Sequence, residues 1–149
     1  MIKKIVSKLL LTESEWNPKV MLGRAVVFVL PAPAVHAIKK VYYANLLKRF
    51  SEDWHEKDVR VVKQIVAPGD QVIDIGACIG AYTKFLSQRV GPGGRVYSFE
   101  PIPPTFEFLS NNVRKLGLRN VDLFDCAASD QEGSATMVVP TYRWGSECW

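Results

Sequence analysis

The spacing of apolar residues divides the chain near Ser51, and the clearer pattern lies after that point. "SEDWHEKDVRVVKQIV" has its acids early and stops before Pro68-Gly69-Asp70, which predicts a capped helix followed by a turn. "QVIDI" is short, β-branched and apolar at both parities, the pattern of a strand buried on both faces of a parallel sheet. A helix is predicted from about Gly80 to Val90, with Tyr82, Phe85, Leu86 and Arg89/Val90 on one face, ended by "GPGG". "RVYSFE" predicts a second strand. Pro103 and Pro104 suit the first turn of another helix, whose inner stripe is Phe106, Leu109, Val113 and Leu116 and whose stop is Gly117. "NVDLFDCA" predicts a third strand, and "SDQEGSATMVVP" a turn followed by an irregular fourth.

Before Ser51, residues 2–11 place Ile2, Ile5, Val6, Leu9 and Leu10 at helical spacing, with Lys3, Lys4 and Lys8 between them. This predicts a short basic amphipathic helix, packed on the domain or in weak contact with an anionic membrane surface. "RAVVFVLP" reads as a strand stopped by Pro31, and "APAVHAIKKVYYANLLKRF" as a helix. The chain thus divides into a helical and strand extension over 1–50 and an α/β unit over 51–149.

Helix and strand alternate through the second part, which implies α/β architecture: a doubly wound, mainly parallel, Rossmann-like sheet with three core strands clearly present. Charge follows the same division. Residues 1–50 carry nine Lys/Arg against Glu13 and Glu15, while the remainder carries ten against thirteen acids. The basic character belongs to the extension, so the overall charge of +4 does not predict a nucleic-acid partner. Cys78, Cys126 and Cys148 are few, distant and without a Cys-x-x-Cys, which predicts neither a disulfide framework nor a metal site. A reducing cytoplasm is the expected setting. "VMLGRAVVFVLPAPAV" is the most apolar run, but Arg24, Pro31 and Pro33 interrupt it, so no membrane span is predicted.

The candidate chemistry lies in "VIDIGACIGAY". Ligands of doubly wound sheets sit at the C-terminal strand ends, and the three predicted ends carry Asp74, Glu100 and Asp125. Gly76 and Gly80 leave the backbone free to bend and to approach a ligand. The Gly-x-x-x-Gly spacing lacks the middle glycine of the dinucleotide fingerprint, and no Gly-Lys-Ser/Thr marks a triphosphate loop. Asp74 before the turn disfavours phosphate and favours a cation. Glu100 is placed to accept the hydroxyls of a ribose. A nucleoside with a cationic, phosphate-free tail meets both conditions, and S-adenosylmethionine is the common metabolite of that kind.

The segment from Val66 to Gly133 resembles the FkbM-type S-adenosylmethionine-dependent methyltransferases. Four blocks carry the resemblance in order: the "DIGAxIG" loop, "GxVYSFEP", the "FxxLxxNV" helix and the "AASDxxG" turn. It implies a class I methyltransferase fold. Asp74, Gly76, Ala77, Cys78 and Gly80 would lie around the methionine part, and Tyr82 and Thr83 are further cofactor-binding candidates. Glu100 and Pro101 would lie at the ribose, and Asp125, Cys126 and Ala127 along the adenine. It also implies methylation of a hydroxyl on a sugar or small natural product, with a small-molecule or glycan acceptor.

The family usually carries Asn at the position of Cys78, and its later Asp-x-Glu-Gly block is absent here, as though the chain were truncated after the first half of the core. The first strand would then keep one unpaired edge, to be covered by "RAVVFVL", by "SATMVV", by self-association or by a partner chain. No catalytic base is assigned; His36 and His55 stand isolated. The alternative reading is a non-catalytic S-adenosylmethionine-binding fragment.

Overall fold

The computed structural model describes residues 29–49 and 57–138. Their elements run α1 (Ala32–Arg49), α2 (Lys57–Ile65), β1 (Gln71–Ile75), α3 (Ala81–Val90), β2 (Arg95–Phe99), α4 (Pro103–Leu116) and β3 (Val121–Phe124). The strands form one parallel sheet in the order β1-β2-β3. Each parallel pair is joined through a helix, as the alternating pattern predicts. The helix expected over residues 2–11 lies outside the described residues. So does most of the strand expected over 24–30, whose two described positions, Val29 and Leu30, are helical and bent.

One face of the sheet is covered. Val72, Val96 and Val121 pack with Val62 and Val66 from the α2 end and with Leu86 and Val90 of α3. Nearer the C-terminal strand ends, Val121 and Leu123 join Leu109 and Val113 of α4 and Ala77 of the loop after β1. A third cluster ties α1 to α4 through Tyr42, Tyr43 and Phe108, with Ile79 packed against it. Burial of Phe108 and Leu109, at 1% and 0% exposure, contributes about 1.5–3 kcal/mol each.

The opposite face differs from the expectation of a strand buried on both sides. Ile73 and Ile75 of β1 are 63% and 66% exposed, and Phe124 of β3 is 37% exposed. Register places Ile75 beside Phe99, and Phe99 beside Phe124, so the open face has an apolar row. Phe99 and Phe124 stack with ring centroids 4.6 Å apart. Toward the strand starts the face turns polar, where Arg95 grips Asp122 through two nitrogens, each 2.6 Å from a carboxylate oxygen. The outer edge of β1 has no strand partner among the described residues. An apolar row predicts a covered surface without naming its cover, which is why periodicity alone assigned burial here.

Other boundaries shift for local reasons. The inward positions of α4 are Thr105, Phe108, Leu109, Asn112 and Val113, while Phe106 and Leu116 are only half-buried. In α3 the buried set includes Thr83, Lys84 and Ser87, and Arg89 points outward to donate to the carbonyls of Val66 and Lys63. β3 is four residues long, and residues 129–138 form no strand. Asn120 closes the C-terminus of α3: its Nδ2 donates to the carbonyls of Ser87 and Gly91, and its Oδ1 accepts from Ser87 Oγ. Lys84 reaches back from α3 and donates to Leu47 O near the end of α1. Its burial pulls the ammonium pKa downward.

Gly94 is where α3 meets the start of β2 most tightly. A Cβ there would fall 2.5 Å from both Asp70 O and Val90 Cβ. Backbone and a fully buried side chain cannot both yield, so Gly94→Ala is expected to cost about 1–3 kcal/mol. Urea denaturation of the two proteins measures the difference.

Candidate functional site

Asp74 and Ser98 are register partners in β1 and β2, so both project to the helix-covered face near the C-terminal strand ends. Thr83 of α3 lies between them. Its hydroxyl donates to Asp74 Oδ2 at 2.5 Å and lies 3.1 Å from Ser98 Oγ. With the threonine proton committed to Asp74, the second hydrogen bond runs from Ser98 to Thr83. Thr83 and Ser98 are fully buried and Asp74 is 9% exposed. The Thr83 backbone N–H is a second donor to the same carboxylate. Burial raises the Asp74 pKa above its ordinary 3.8; the Thr83 hydroxyl opposes this and the nearby Glu100 charge adds to it.

Glu100 occupies the next strand end and is 4% exposed. Its Oε2 accepts the backbone N–H of Cys78, and its Oε1 accepts that of Ile102, both at 2.9 Å. One carboxylate thereby joins the loop after β1 to the loop after β2. Gly76 and Ala77 both donate their N–H groups to Phe99 O, and Glu100 donates its own N–H to Phe124 O. The loop is therefore tied to the sheet through its N–H groups.

The turn itself takes three positive φ values: Gly76 at 77°, Cys78 at 53° and Gly80 at 92°. Gly80 has a second reason to lack a side chain, since a Cβ would lie 2.8 Å from Leu109 Cδ1. Cys78 is the one described non-glycine residue with positive φ. Asn tolerates the left-handed region better than most residues. The Asn that the resemblance places at this position would suit the same backbone conformation. The other described cysteine, Cys126, is free and exposed.

The remaining sequence-predicted residues fall around this centre. Tyr82 is half-buried in the first turn of α3, and Pro101 follows Glu100. Asp125, Cys126 and Ala127 follow the end of β3 and are exposed. The structure thus brings Asp74, Thr83 and Glu100 together with the loop backbone, while the third strand end remains open to solvent.

Asn112 and Leu109 are missing from the sequence-predicted site, although both belong to the "FxxLxxNV" block. Asn112 is 1% exposed and donates from Nδ2 to Ile79 O at 2.9 Å. An amide at a helix-inward position was the available signal. His36, isolated in sequence, lies on a groove of about 520 Å³ between α1 and the start of α4, lined also by Pro33, Lys40, Pro103, Pro104 and Glu107. Its Nε2 is 2.7 Å from Glu107 Oε2, and its ring stacks on Phe108 at 4.5 Å. Lys40 pairs with the same Glu107, and these contacts hold that carboxyl below its usual pKa range. No cluster of His, Cys, Asp or Glu among the described residues is arranged to hold a metal ion. No described helix is long and apolar enough to cross a membrane.

Residues 74–146 match the methyltransferase FkbM domain. Over this segment the chain is similar to the FkbM methyltransferase family. The match starts at Asp74 and runs through the loop, Glu100 and α4. Over 71 residues the chain is 42% identical to the 31-O-demethyl-FK506 methyltransferase FkbM of Streptomyces tacrolimicus, covering 47% of this chain and 26% of that protein. It is 44% identical over 54 residues to a protein-L-isoaspartate O-methyltransferase of Aeropyrum pernix, covering 36% of this chain and 21% of that one. A solved S-adenosylmethionine-dependent methyltransferase from Aquifex aeolicus shares 26% identity with a TM-score of 0.45, over 58% of this chain and 47% of that one. The chain spans about a quarter or less of these two curated relatives.

The Asp74 shift has a measurable consequence. A carboxyl whose folded pKa is raised binds its proton more tightly in the folded state, so folded stability falls as pH rises through the window above 3.8. Asp74→Asn removes that titration. The stability of Asp74→Asn relative to the original protein is expected to increase between about pH 4 and pH 7 and to flatten below pH 3. Urea midpoints across that range test it; a constant difference would show that Asp74 has no raised pKa.

Proposed function

We propose that this chain carries the donor-binding part of an S-adenosylmethionine-dependent methyltransferase of the FkbM type, which transfers a methyl group to a hydroxyl on a sugar or small natural product. The observation that carries the reading is two buried carboxylates, Asp74 and Glu100, at neighbouring strand ends beside a loop with three positive φ values. The family match over the same residues supports it. The names of the curated relatives share methyl transfer and differ in acceptor, an isoaspartyl protein in one and an FK506 precursor in the other. That similarity supports the donor side, and the hydroxyl acceptor rests on the FkbM relationship.

On this reading the buried Asp74 carboxylate faces the positive methionine end of the cofactor. A cation there offsets the two forces that raise the Asp74 pKa, burial and the Glu100 charge. Glu100 binds the ribose. A carboxylate offers roughly four acceptor positions, and the Cys78 and Ile102 N–H groups occupy two of them, so acceptor capacity remains for the sugar hydroxyls. The two N–H bonds hold the carboxylate in place before the ligand arrives, which lowers the ordering cost of binding. Exposed Asp125, Cys126 and Ala127 border the adenine.

S-adenosylmethionine supplies a methyl group on a sulfonium, already activated for in-line displacement. The protein's part is alignment of donor and acceptor, worth on the order of 7–11 kcal/mol when complete.

Titration calorimetry with S-adenosylhomocysteine tests the donor site. The original chain is expected to bind, and Glu100→Ala to bind about 10- to 100-fold more weakly, with circular dichroism confirming that it is folded. Because Glu100 also secures two backbone N–H groups, the variant should lose thermal stability as well. Unchanged affinity in a folded Glu100→Ala protein would remove Glu100 from the site.

A further inference from the structure

The geometry points to Asn112 of α4 as a positioning residue for the cofactor loop, an inference that rests on the proposed donor site. The loop N–H groups are committed to the sheet: Gly76 and Ala77 to Phe99 O, and Cys78 to Glu100. The peptide between Ile79 and Gly80 is held from two other directions. Its N–H donates to Ala77 O within the turn, and its carbonyl accepts from Asn112 Nδ2. Positive φ at Cys78 and Gly80 brackets this peptide, and a glycine on one side makes reversal of the peptide plane sterically easy. A reversal would turn the Ile79 carbonyl around and exchange a donor for an acceptor on the loop surface. Asn112 opposes it.

Two contacts on the same face of α4 reinforce the hold. Leu109, three residues before Asn112, packs over Gly80 at a distance that leaves no room for a Cβ. Ala77 is buried between Leu109 and Val113. The Ile79 side chain packs into the cluster of Tyr42, Tyr43 and Phe108, so α1 supports the same loop residue. Asn is a poorer helix former than Leu, and its buried amide needs a partner. The Ile79 carbonyl is that partner, which gives the polar residue a reason to stand at a helix-inward position.

The test uses the full chain with Asn112→Asp and Asn112→Ala. An ionised Asp cannot donate to Ile79 O, but a protonated one can. S-adenosylhomocysteine affinity is measured by calorimetry at about pH 8 and about pH 5, with circular dichroism confirming folding. Amide hydrogen exchange of Cys78 and Gly80 is followed beside that of the α3 and β2 interiors. Both variants are expected to bind at least about tenfold more weakly at the higher pH. The deficit of Asn112→Asp should narrow at the lower pH, while that of Asn112→Ala stays. Loop amides should exchange faster in both, with the α3 and β2 interiors unchanged.

Original affinity in both folded variants, with unchanged loop exchange, would overturn the assignment. A uniform rise in exchange across the domain would also overturn it, because that marks a purely structural role. If the original chain itself binds no S-adenosylhomocysteine, the donor-site reading fails, and the exchange comparison still decides whether Asn112 positions the loop. If Asn112→Asp does not fold, Asn112→Ala carries both readouts.

Discussion

The arrangement depends on one carboxylate accepting two backbone N–H groups. Glu100 leaves the end of β2 and binds Cys78 on one side and Ile102 on the other. Without it, the loop after β1 keeps a left-handed non-glycine residue with no charged acceptor to compensate its N–H. Hydrogen bonds to a charged acceptor contribute about 1.5–3 kcal/mol each, enough to offset the cost of one residue in that conformation. The clamp works because parallel pairing sets the C-terminal ends of β1 and β2 side by side. Strand order, not loop composition, puts the acceptor within reach.

Around that clamp, three of the four sequence blocks have a structural task. The loop provides the curved backbone. The second strand and its acid hold the loop through Phe99 O and Glu100. The α4 block contributes Leu109 over Gly80 and Asn112 at Ile79. The turn after β3 remains exposed beside the others. Methyl transfer, the activity proposed for this site, requires little covalent chemistry from a protein and much alignment. A loop held from the sheet by N–H groups and from a helix by a carbonyl suits that requirement, since a rigid backbone can meet a ligand without being ordered by it.

Burial is uneven across the sheet. The helix-covered face holds both the core and the two carboxylates; the other carries Ile73, Ile75 and Phe124 in solvent among the described residues. The site depends on the covered face. Asp74, Thr83 and Ser98 form their chain of hydrogen bonds under α3, where exclusion of water strengthens each of them and raises the Asp74 pKa.

Much of this was legible in the sequence. The order of elements followed from changes of apolar period and from Pro and Gly at their boundaries, because those are local effects acting over a few residues. Asp74, Gly80 and Glu100 were legible because strand-end acids and spaced glycines have few structural uses in this order. What only the tertiary structure decided were relations between distant segments. Periodicity marked Ile73 and Ile75 as apolar but had no means of saying whether anything covered them. Asn112 gained a role only when α4 was laid against the loop, 33 residues away in sequence. Glu100 proved to be a clamp as well as a candidate ligand contact, because a side chain's partners are set by the packing of elements and not by the residues beside it in the chain.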